Sequence, residues 1–167
     1  GTIFKQLTSA CQKYIRPKMT TNLTAKIYRD GVSQRLFVSK DTFSSKRTKL
    51  PVLIINLDGV FGYYDEFKAY NFKEKSLAYL HTLSHNFRIV AFSYDSKTVV
   101  RRTVQGFAEL KFPFYFDAVY VFGRKNHCHR LNLTHILLDF QDENEEDLDR
   151  FTQASVAVVT TDNMHEG

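Results

Sequence analysis

Cysteine and long apolar runs are both scarce in this sequence of 167 residues. Its two cysteines, Cys11 and Cys128, do not make the repeated spacing of a disulfide framework or a zinc module, which favours a reducing compartment over secretion. The longest apolar run, around residues 51–57, has the length of a strand, whereas a helix that spans a bilayer needs ~20 residues. Because 43% of the residues are apolar, the chain can still build the core of one compact domain, either soluble or peripheral to a membrane.

Acidic residues are nearly absent from the first 50 positions, where eleven Lys and Arg stand against two Asp, a net charge of +9. The rest of the chain carries a net charge of −4. A basic segment of this kind suits nucleic acid, anionic lipid or an acidic protein, and charge alone does not decide among them. The start of the chain lacks Met and is rich in Ser and Thr, as expected of a protein cut from a longer mitochondrial precursor or of a sequence that begins there for another reason.

An amphipathic helix is predicted at the start of a basic N-terminal arm that covers residues 1–50. Ile3, Phe4 and Leu7 begin a set of apolar residues at helical spacing, and Pro17 marks a natural stop. The apolar face of this helix needs a partner, which is the rest of the chain, another protein or a membrane surface.

A β-hairpin and a linker are predicted in the remainder of the arm. Residues 25–29 and 34–39 have the pattern of short strands on either side of an Asp30-Gly31 turn. Residues 42–49 are polar and basic, which is typical of a linker.

Segments of strand length alternate with segments of helical spacing in residues 51–167. The predicted strands are 51–57, 88–93, 118–122, 135–140 and 155–160. One helix is predicted at 73–85 with Leu77, Leu80 and Leu83 inward, and a second after a cap at Asp95 or Ser96, with Val99, Val100, Thr103, Val104, Phe107 and Leu110 inward. This alternation predicts an α/β domain with a largely parallel sheet.

Polar side chains close several of these predicted strands. Asn56 and Asp58 follow the first strand, Ser93 ends the second, and Asp139 ends a later one. Taken singly, each is explained by ordinary polarity at a strand end. Ligand sites in parallel sheets lie at the carboxyl ends of the strands, so the four residues together indicate a site.

Residues 53–60, Leu-Ile-Ile-Asn-Leu-Asp-Gly-Val, resemble the opening motif of haloacid dehalogenase-like phosphatases, in which an apolar strand ends in Asp-x-Asp-x-Thr. Residues 72–83, 87–93 and 116–139 resemble further segments of the cap-less branch of that superfamily, which includes the small carboxy-terminal-domain phosphatases and the receptor subunit of the mitochondrial presequence translocase. The resemblance spans residues 51–160. It implies a Rossmann-like, haloacid dehalogenase-like sheet, to which the helix and hairpin of the arm are an extension.

The resemblance also implies which site residues are kept and which are lost. Asp58 matches the general acid/base, Ser93 the phosphate-binding hydroxyl, and Asp139 the first acidic residue of the metal motif. Asn56 stands where the family has its attacking Asp, and Val60 replaces the usual Thr. An amide oxygen is uncharged and weakly nucleophilic, so Asn56 does not readily form an aspartyl-phosphate and offers Mg²⁺ one negative ligand fewer.

Two further family positions are weakened. The lysine that neutralises phosphate in the family has only Arg124 or Lys125 as substitutes here, and Phe140 replaces a polar residue for which Asp142 is a poor stand-in. A phosphoryl transition state depends on positioned positive charge and metal. We therefore expect an inactive domain without a cofactor, with Mg²⁺ bound through Asp58 and Asp139 only if activity remains.

The first functional expectation is a catalytically inactive phosphatase-like domain that serves as an accessory subunit of a larger protein complex. The resemblance places that complex at the mitochondrial inner membrane. Ile3, Phe4 and Leu7 are the expected partner contacts, and peripheral contact with the membrane is compatible with the same helix.

Two alternatives are a presequence-receptor-like protein and a residual Mg²⁺-dependent phosphatase. The receptor would bind basic peptides through the acidic run that contains Asp142, Glu145 and Glu146. Nucleic acid ranks last among partners, because the aromatic residues of the arm form no recognised nucleic-acid-binding motif.

Histidine and cysteine clusters do not predict a metal site. His127, Cys128 and His129 are direct neighbours, which rarely aim at one ion, and no second cluster at finger-like spacing exists. His81 and His85 lie one helical turn apart, but the inner face of that helix is apolar, so a solvated helix face is expected for them.

Overall fold

The computed structural model describes residues 26–123, 129–140 and 156–159, with the backbone alone at 129–133 and 156–159. These residues form a mixed α/β structure. The strands are β1 (Lys26–Ile27), β2 (Gln34–Val38), β3 (Val52–Asn56), β4 (Gly62–Tyr64), β5 (Tyr70–Phe72), β6 (Arg88–Ser93), β7 (Ala118–Val121) and β8 (Val156–Val159). The longer helices are α1 (Glu74–Asn86), α2 (Lys97–Ala108) and α3 (His129–Asp139).

The main sheet is parallel at its centre and antiparallel on one side. Its strand order is β1-β2-β7-β6-β3-β8, while β4 and β5 form a separate hairpin. Strands β7, β6, β3 and β8 pair in parallel, whereas β2 pairs antiparallel with β7 and β1 with β2. Because the chain adds β6 and β7 on one side of β3 and β8 on the other, the direction of winding reverses next to β3.

Both faces of the parallel strands are covered, which explains their nearly continuous apolar sequences. Leu53 of β3 belongs to the core on the face covered by α1 and α2, where Leu80 and Phe107 are at most 1% exposed. Ile54 belongs to the core on the other face, together with Ile136 of α3.

Two of the predicted helices, those after residue 51, and four of the five strands predicted there are confirmed. α1 lies within one residue of its predicted bounds at each end, with Leu80 buried and Leu77 and Leu83 packed against the core. α2 is capped by Ser96, whose Oγ accepts a hydrogen bond from Val99 N at 3.3 Å. Hydrophobic period and capping therefore predict the α/β class and a partly parallel sheet correctly.

The strand predicted at 135–140 is wrong, because these residues form the end of α3 and the residue after it. Ile136 and Phe140, four positions apart, are buried on one face, whereas Leu138 between them is 57% exposed. That spacing is helical, but a short apolar run does not by itself distinguish a buried strand from a helix. Asp139 consequently lies at the end of a helix and not at the end of a strand.

The linker predicted at 42–49 is also wrong. The segment begins in a 3₁₀ helix, Lys40–Phe43, and is anchored by two buried side chains. Thr42 Oγ1 donates to Asp117 Oδ1 at 2.9 Å. Arg47 donates to both carboxylate oxygens of Asp117, at 3.0 and 2.7 Å, and to backbone carbonyls of α1 and of the residue after it.

Two segments of the predicted arm, β1 and β2, are part of the main sheet. β1 and β2 form the predicted hairpin, and Gly31 in its turn has a φ of 73°, which glycine adopts without a steric penalty. β2 pairs with β7, so the described part of the arm is continuous with the predicted domain. The predicted amphipathic helix lies outside the described residues, and no helix within them is long and apolar enough to cross a membrane.

Arg47→Met is expected to lower the free energy of unfolding by about 3–5 kcal/mol, because it leaves the buried carboxylate of Asp117 without its ion-pair partner. Equilibrium urea unfolding followed by circular dichroism measures the change. Lys46→Met is the matched control, since this neighbouring side chain is exposed and its loss should change the same free energy by less than about 0.5 kcal/mol. Equal effects of the two substitutions would contradict the anchoring role of Arg47.

Asp139 ties α3 to the antiparallel side of the sheet. Its carboxylate accepts hydrogen bonds from Tyr28 Oη and from Tyr120 Oη, the latter at 2.7 Å. Lys26 Nζ lies 2.7 Å and Arg35 Nη1 3.2 Å from the carboxylate. Burial alone raises the pKa of this carboxyl, but the hydrogen bonds and the Arg35 charge outweigh it, so the pKa is lowered.

The lowered pKa of Asp139 predicts a loss of stability in acid. A carboxyl of this kind stabilises the fold above its ordinary pKa of about 3.9, and that contribution disappears as the pH falls through the folded-state pKa. Asp139→Asn should therefore lower the free energy of unfolding by about 1.5–3 kcal/mol at neutral pH, and the difference should shrink below about pH 4. Urea titrations across this pH range measure the difference, and one that does not vary with pH would contradict the prediction.

Candidate functional site

Asn56 and Ser93 end two adjacent parallel strands, β3 and β6, at the same edge of the sheet. Asn56 is level with Phe92 in the register, so Ser93 lies one residue beyond it. In open α/β sheets, ligands bind at the carboxyl ends of the strands next to the point where winding reverses, and β3 borders that point. The candidate site is therefore this carboxyl edge.

A single turn, Leu57–Val60, follows β3 and carries the predicted acid/base residue. Asn56 Oδ1 accepts a hydrogen bond from Asp58 N at 3.1 Å, so the side-chain amide caps the turn. Gly59 has a φ of 102°, a conformation that residues with a Cβ rarely adopt. Asn56 thus has a local structural role at the position predicted for a nucleophile.

The β4–β5 hairpin packs against this turn. Tyr70 Oη donates to Leu57 O at 2.6 Å, and Lys73 Nζ donates to Gly59 O at 2.8 Å. These bonds satisfy carbonyl groups of an irregular backbone segment. Burial raises the pKa of Tyr70, so this phenol remains a neutral donor.

Asp58 is exposed at the site and also contacts the hairpin. Its Oδ1 accepts a hydrogen bond from Tyr64 N at 3.4 Å. The carboxylate therefore sits in solvent between the end of β3 and the first strand of the hairpin.

Tyr64 extends from the hairpin to α2. Its hydroxyl lies 2.7 Å from Thr103 Oγ1. Burial raises the pKa of Tyr64 to about 12, opposed by hydrogen bonds to Thr103 and Ser93 and assisted by the charges of Asp95 and Asp58. The phenol is neutral at physiological pH, so it occupies the space beside Ser93 without acting as a base.

Ser93 is almost fully enclosed, with 1% of its surface exposed. Its Oγ accepts a hydrogen bond from Asp95 N at 3.0 Å and also bonds to Tyr64. Lys68 at the tip of the hairpin pairs with Asp95 at 3.0 Å, which ties the hairpin to the loop after β6. The hydroxyl predicted to bind phosphate therefore already has protein partners and little access to solvent.

Asp139 does not join this site. Its hydrogen-bond and ion-pair partners come from the β1–β2 hairpin and β7, and none of them belongs to the turn after β3 or to the end of β6. On the side of β3 away from β6, the neighbouring strand is β8. Residues that come directly after β8 in the sequence are therefore the ones expected at the site on that side. Asp162 is the first carboxylate after β8 in the sequence, and it lies outside the described residues.

The described part of the carboxyl edge has few of the ligands that Mg²⁺ prefers. Mg²⁺ requires near-octahedral oxygen ligands with negative charge among them. Within the described residues, this edge offers the Asp58 carboxylate, the Asp95 carboxylate, which pairs with Lys68, and the Asn56 amide oxygen, which already accepts a hydrogen bond. Across the part of the chain that the structure describes, no three His, Cys, Asp or Glu side chains form a group that could hold a metal ion.

Several predicted residues lie outside the described side chains. These are the apolar residues Ile3, Phe4 and Leu7, the acidic residues Asp142, Glu145 and Glu146, the basic residues Arg124 and Lys125, and the cluster His127, Cys128 and His129. Their predicted roles stay predictions.

His81 is half-buried, so the solvated face expected for it is wrong. Its Nε2 lies 3.4 Å from Phe112 O, and its ring packs edge-on against Phe114 with centroids 5.5 Å apart. Burial lowers the pKa of His81, so a neutral imidazole packs beside the core. His85 is exposed, as expected.

The hairpin over the site was missed by the sequence pattern. Its two strands are only three residues each, Gly-Tyr-Tyr and Tyr-Asn-Phe, and the signal for them was this pair of aromatic runs around Asp65. Gly62 permits their close approach, because a Cβ there would lie 2.3 Å from Asn71 O. Because the sequence pattern missed this hairpin, it also missed Tyr64, which the hairpin brings to the site.

Comparison of the chain with protein-family models, with curated proteins and with solved structures gives no match. The function of the site has to follow from its own residues.

Proposed function

We propose that the chain is a catalytically inactive phosphatase-like domain of the haloacid dehalogenase-like superfamily, acting as an accessory subunit of a larger protein complex at the mitochondrial inner membrane. The observation that carries the proposal is the role of Asn56, whose neutral side chain takes the nucleophile position and caps the following turn. In this proposal the domain binds other subunits or supports the complex, and it does not catalyse phosphoryl transfer.

Asn56 is unsuited to attack phosphorus for two reasons. Its oxygen carries no negative charge, and it would have to give up its hydrogen bond with Asp58 N to reach a substrate. Asp58 is placed to exchange a proton with solvent, but general acid/base catalysis needs a nucleophile to assist. Asn56 and Asp58 therefore keep the spacing of the phosphatase motif, but the charged nucleophile of that motif is absent.

The surroundings of Ser93 add to this argument. Phosphoryl transfer is accelerated by donors that are preorganised around the transferring group. Here the Ser93 hydroxyl accepts a hydrogen bond from Asp95 N and is also bonded to the side chain of Tyr64. A phosphate would have to displace Tyr64 before it reached this hydroxyl.

Strand order supports the assignment of the fold. With the parallel strands numbered along the chain, the sheet reads third, second, first, fourth, which is the order that begins the doubly wound Rossmann arrangement. α1 and α2 cover one face and α3 the other. A fold of this kind hosts many functions, so the argument for inactivity depends on the site residues.

The mitochondrial location is supported by the resemblance to the cap-less branch and by the basic, acid-poor first 50 residues. A net charge of +9 over these residues suits contact with the acidic surface of a partner subunit or with anionic lipid. Both are available at an inner-membrane complex.

Asn56→Asp combined with Tyr64→Ala is expected to give slow Mg²⁺-dependent hydrolysis of p-nitrophenyl phosphate, because it restores a charged nucleophile and opens the space beside Ser93. The unmodified chain is expected to be inactive. Tyr64→Ala alone is the matched control: it opens the same space, keeps the amide and should stay inactive. Release of p-nitrophenol measures all three, and turnover by the unmodified chain would contradict the proposal.

Two further substitutions, each made in the Asn56→Asp/Tyr64→Ala variant, distinguish the role of Asp58 from that of Asp139. Asp58→Asn should abolish the restored hydrolysis, because Asp58 is at the site. Asp139→Asn should leave the rate unchanged at neutral pH, because its partners lie on the β1–β2 hairpin and on β7, away from the turn after β3. An inactive double variant would count against the assignment of the carboxyl edge as a former phosphatase site.

The accessory role predicts that the chain is found in an assembly. After gentle detergent extraction of mitochondrial inner membranes, blue-native electrophoresis should find it in a complex much larger than a single copy. A free monomer outside mitochondria would contradict this part of the proposal, whatever the hydrolysis measurements give.

A further inference from the structure

The tip of the β4–β5 hairpin, residues 65–69, carries the most exposed large apolar side chain of the described residues. Phe67 is 79% exposed. Three other aromatic residues of the hairpin, Tyr64, Tyr70 and Phe72, pack against one another or against α2, whereas within the described residues no ring packs against Phe67. A single exposed apolar residue is common on a protein surface, so its meaning depends on how the tip holds it.

Hydrogen bonds within the tip fix its conformation. Asp65 Oδ1 accepts hydrogen bonds from Phe67 N at 2.8 Å and from Ala69 N at 3.0 Å. Lys68 N donates to Asp65 O at 3.0 Å, and Asp65 N donates to Ala69 O at 3.0 Å. The position of the Phe67 backbone is therefore set by the loop itself.

The residue after Phe67 is strained. Lys68 has a φ of 61°, in the left-handed region that residues with a Cβ seldom adopt. Arg102 Nη2 donates to Lys68 O at 3.0 Å, and Lys68 Nζ pairs with Asp95 at 3.0 Å. Strained residues of this kind persist where their surroundings hold them, and they cluster at functional sites. The two contacts join the tip to α2 and to the loop after β6, so Phe67 has a rigid support.

A ring on a rigid support suits an interface anchor. Binding costs free energy when side chains and loops have to be ordered, and that cost is small where the backbone is already fixed. The side chains that dominate interfaces are mostly large ones that fill a pocket on the partner.

The charge beside Phe67 indicates the chemistry of its partner. Glu66 is exposed and belongs to no ion pair within the described residues. The two cations bound at the tip, Lys68 and Arg102, are engaged with Asp95 and with a backbone carbonyl. If Phe67 entered an anionic membrane, the neighbouring Glu66 carboxylate would meet headgroups that repel it.

A pocket on another protein meets both requirements. Its floor can take the ring, and a cation on its polar rim can pair with Glu66. The acidic run at 142–149 of this chain has the same sign of charge as Glu66, so charge disfavours it as the occupant.

We propose that the hairpin tip docks on a protein subunit of the larger complex, with Phe67 in an apolar pocket whose rim carries a Lys or Arg side chain opposite Glu66. The inference rests on the proposed accessory function and deepens it, because it names a part of the chain that holds it in the complex.

The test is competition for the complex between forms of the full chain. Each tagged variant is expressed beside the untagged native chain, and blue-native electrophoresis of solubilised inner membranes measures the ratio of bound to free tagged chain. Phe67→Ser should lower this ratio on the order of 30-fold, as expected for the loss of a central aromatic anchor. The matched control, Tyr79→Ser, removes a ring that is 49% exposed on α1 and should change the ratio less than about twofold.

A second pair of variants tests the predicted rim. Glu66→Lys should lower the same ratio about tenfold, because it places one cation opposite another. Glu109→Lys reverses the charge of an exposed carboxylate at the end of α2 and should leave the ratio unchanged. Thermal unfolding of each purified variant establishes that the fold is intact.

Photo-crosslinking identifies what contacts the tip. With p-benzoylphenylalanine at position 67, the chain should crosslink to one other subunit of the complex, at an apolar segment with Lys or Arg beside it. The same group at position 79 should not give this product.

Three outcomes would overturn the inference. They are retention of Phe67→Ser in the complex at the level of the unmodified chain, equal losses with Phe67→Ser and Tyr79→Ser, and crosslinks from position 67 only to lipid or to the chain itself. If the unmodified tagged chain entered no complex, the accessory function would fail as well, so the two failures are distinguishable.

Discussion

The buried carboxylate of Asp117 is the constraint on which most of the described structure depends. It sits immediately before β7 and binds Arg47 and Thr42 of the segment after β2 and Ile89 N of β6, the last at 2.7 Å. A buried charge is costly unless it is paired and fully hydrogen-bonded. Asp117 is satisfied only when these three parts of the chain are adjacent, so it selects one arrangement of the antiparallel side against the parallel centre.

The two edges of the sheet use their polar groups in opposite ways. At the carboxyl edge they bond to one another: Asn56 caps the turn at Asp58, and Tyr64 reaches Thr103. At the amino edge, Arg47 is anchored to Asp117, whereas Lys40, Lys46 and Lys49 of the same segment are exposed. Both features fit the accessory role that we propose.

Sequence pattern predicted the parts of this fold whose signals are local. β6 has its predicted bounds, and Ser96 caps α2 as expected. The adjacency of Asn56 and Ser93 was predictable, because parallel strands bring their carboxyl ends to one edge. The pairing of Arg47 with Asp117 joins residues 70 positions apart and leaves no local pattern, so its segment read as a linker. Asp139 was misplaced because a short apolar run fits a helix and a strand equally well.

In the proposed assignment, the exchange of Asp for Asn at position 56 costs the fold little, which accounts for a reactive motif that becomes structural. Asn and Asp are about equally good at capping a turn, so the hydrogen bond to Asp58 N does not require a carboxylate. Two carboxylates at positions 56 and 58 would repel each other unless a cation lay between them. Asn56 removes that repulsion, and with it the need for a metal to hold the edge of the sheet together. In the proposed assignment, the exchange of Asp for Asn that ends the chemistry therefore also lets the carboxyl edge pack without a ligand.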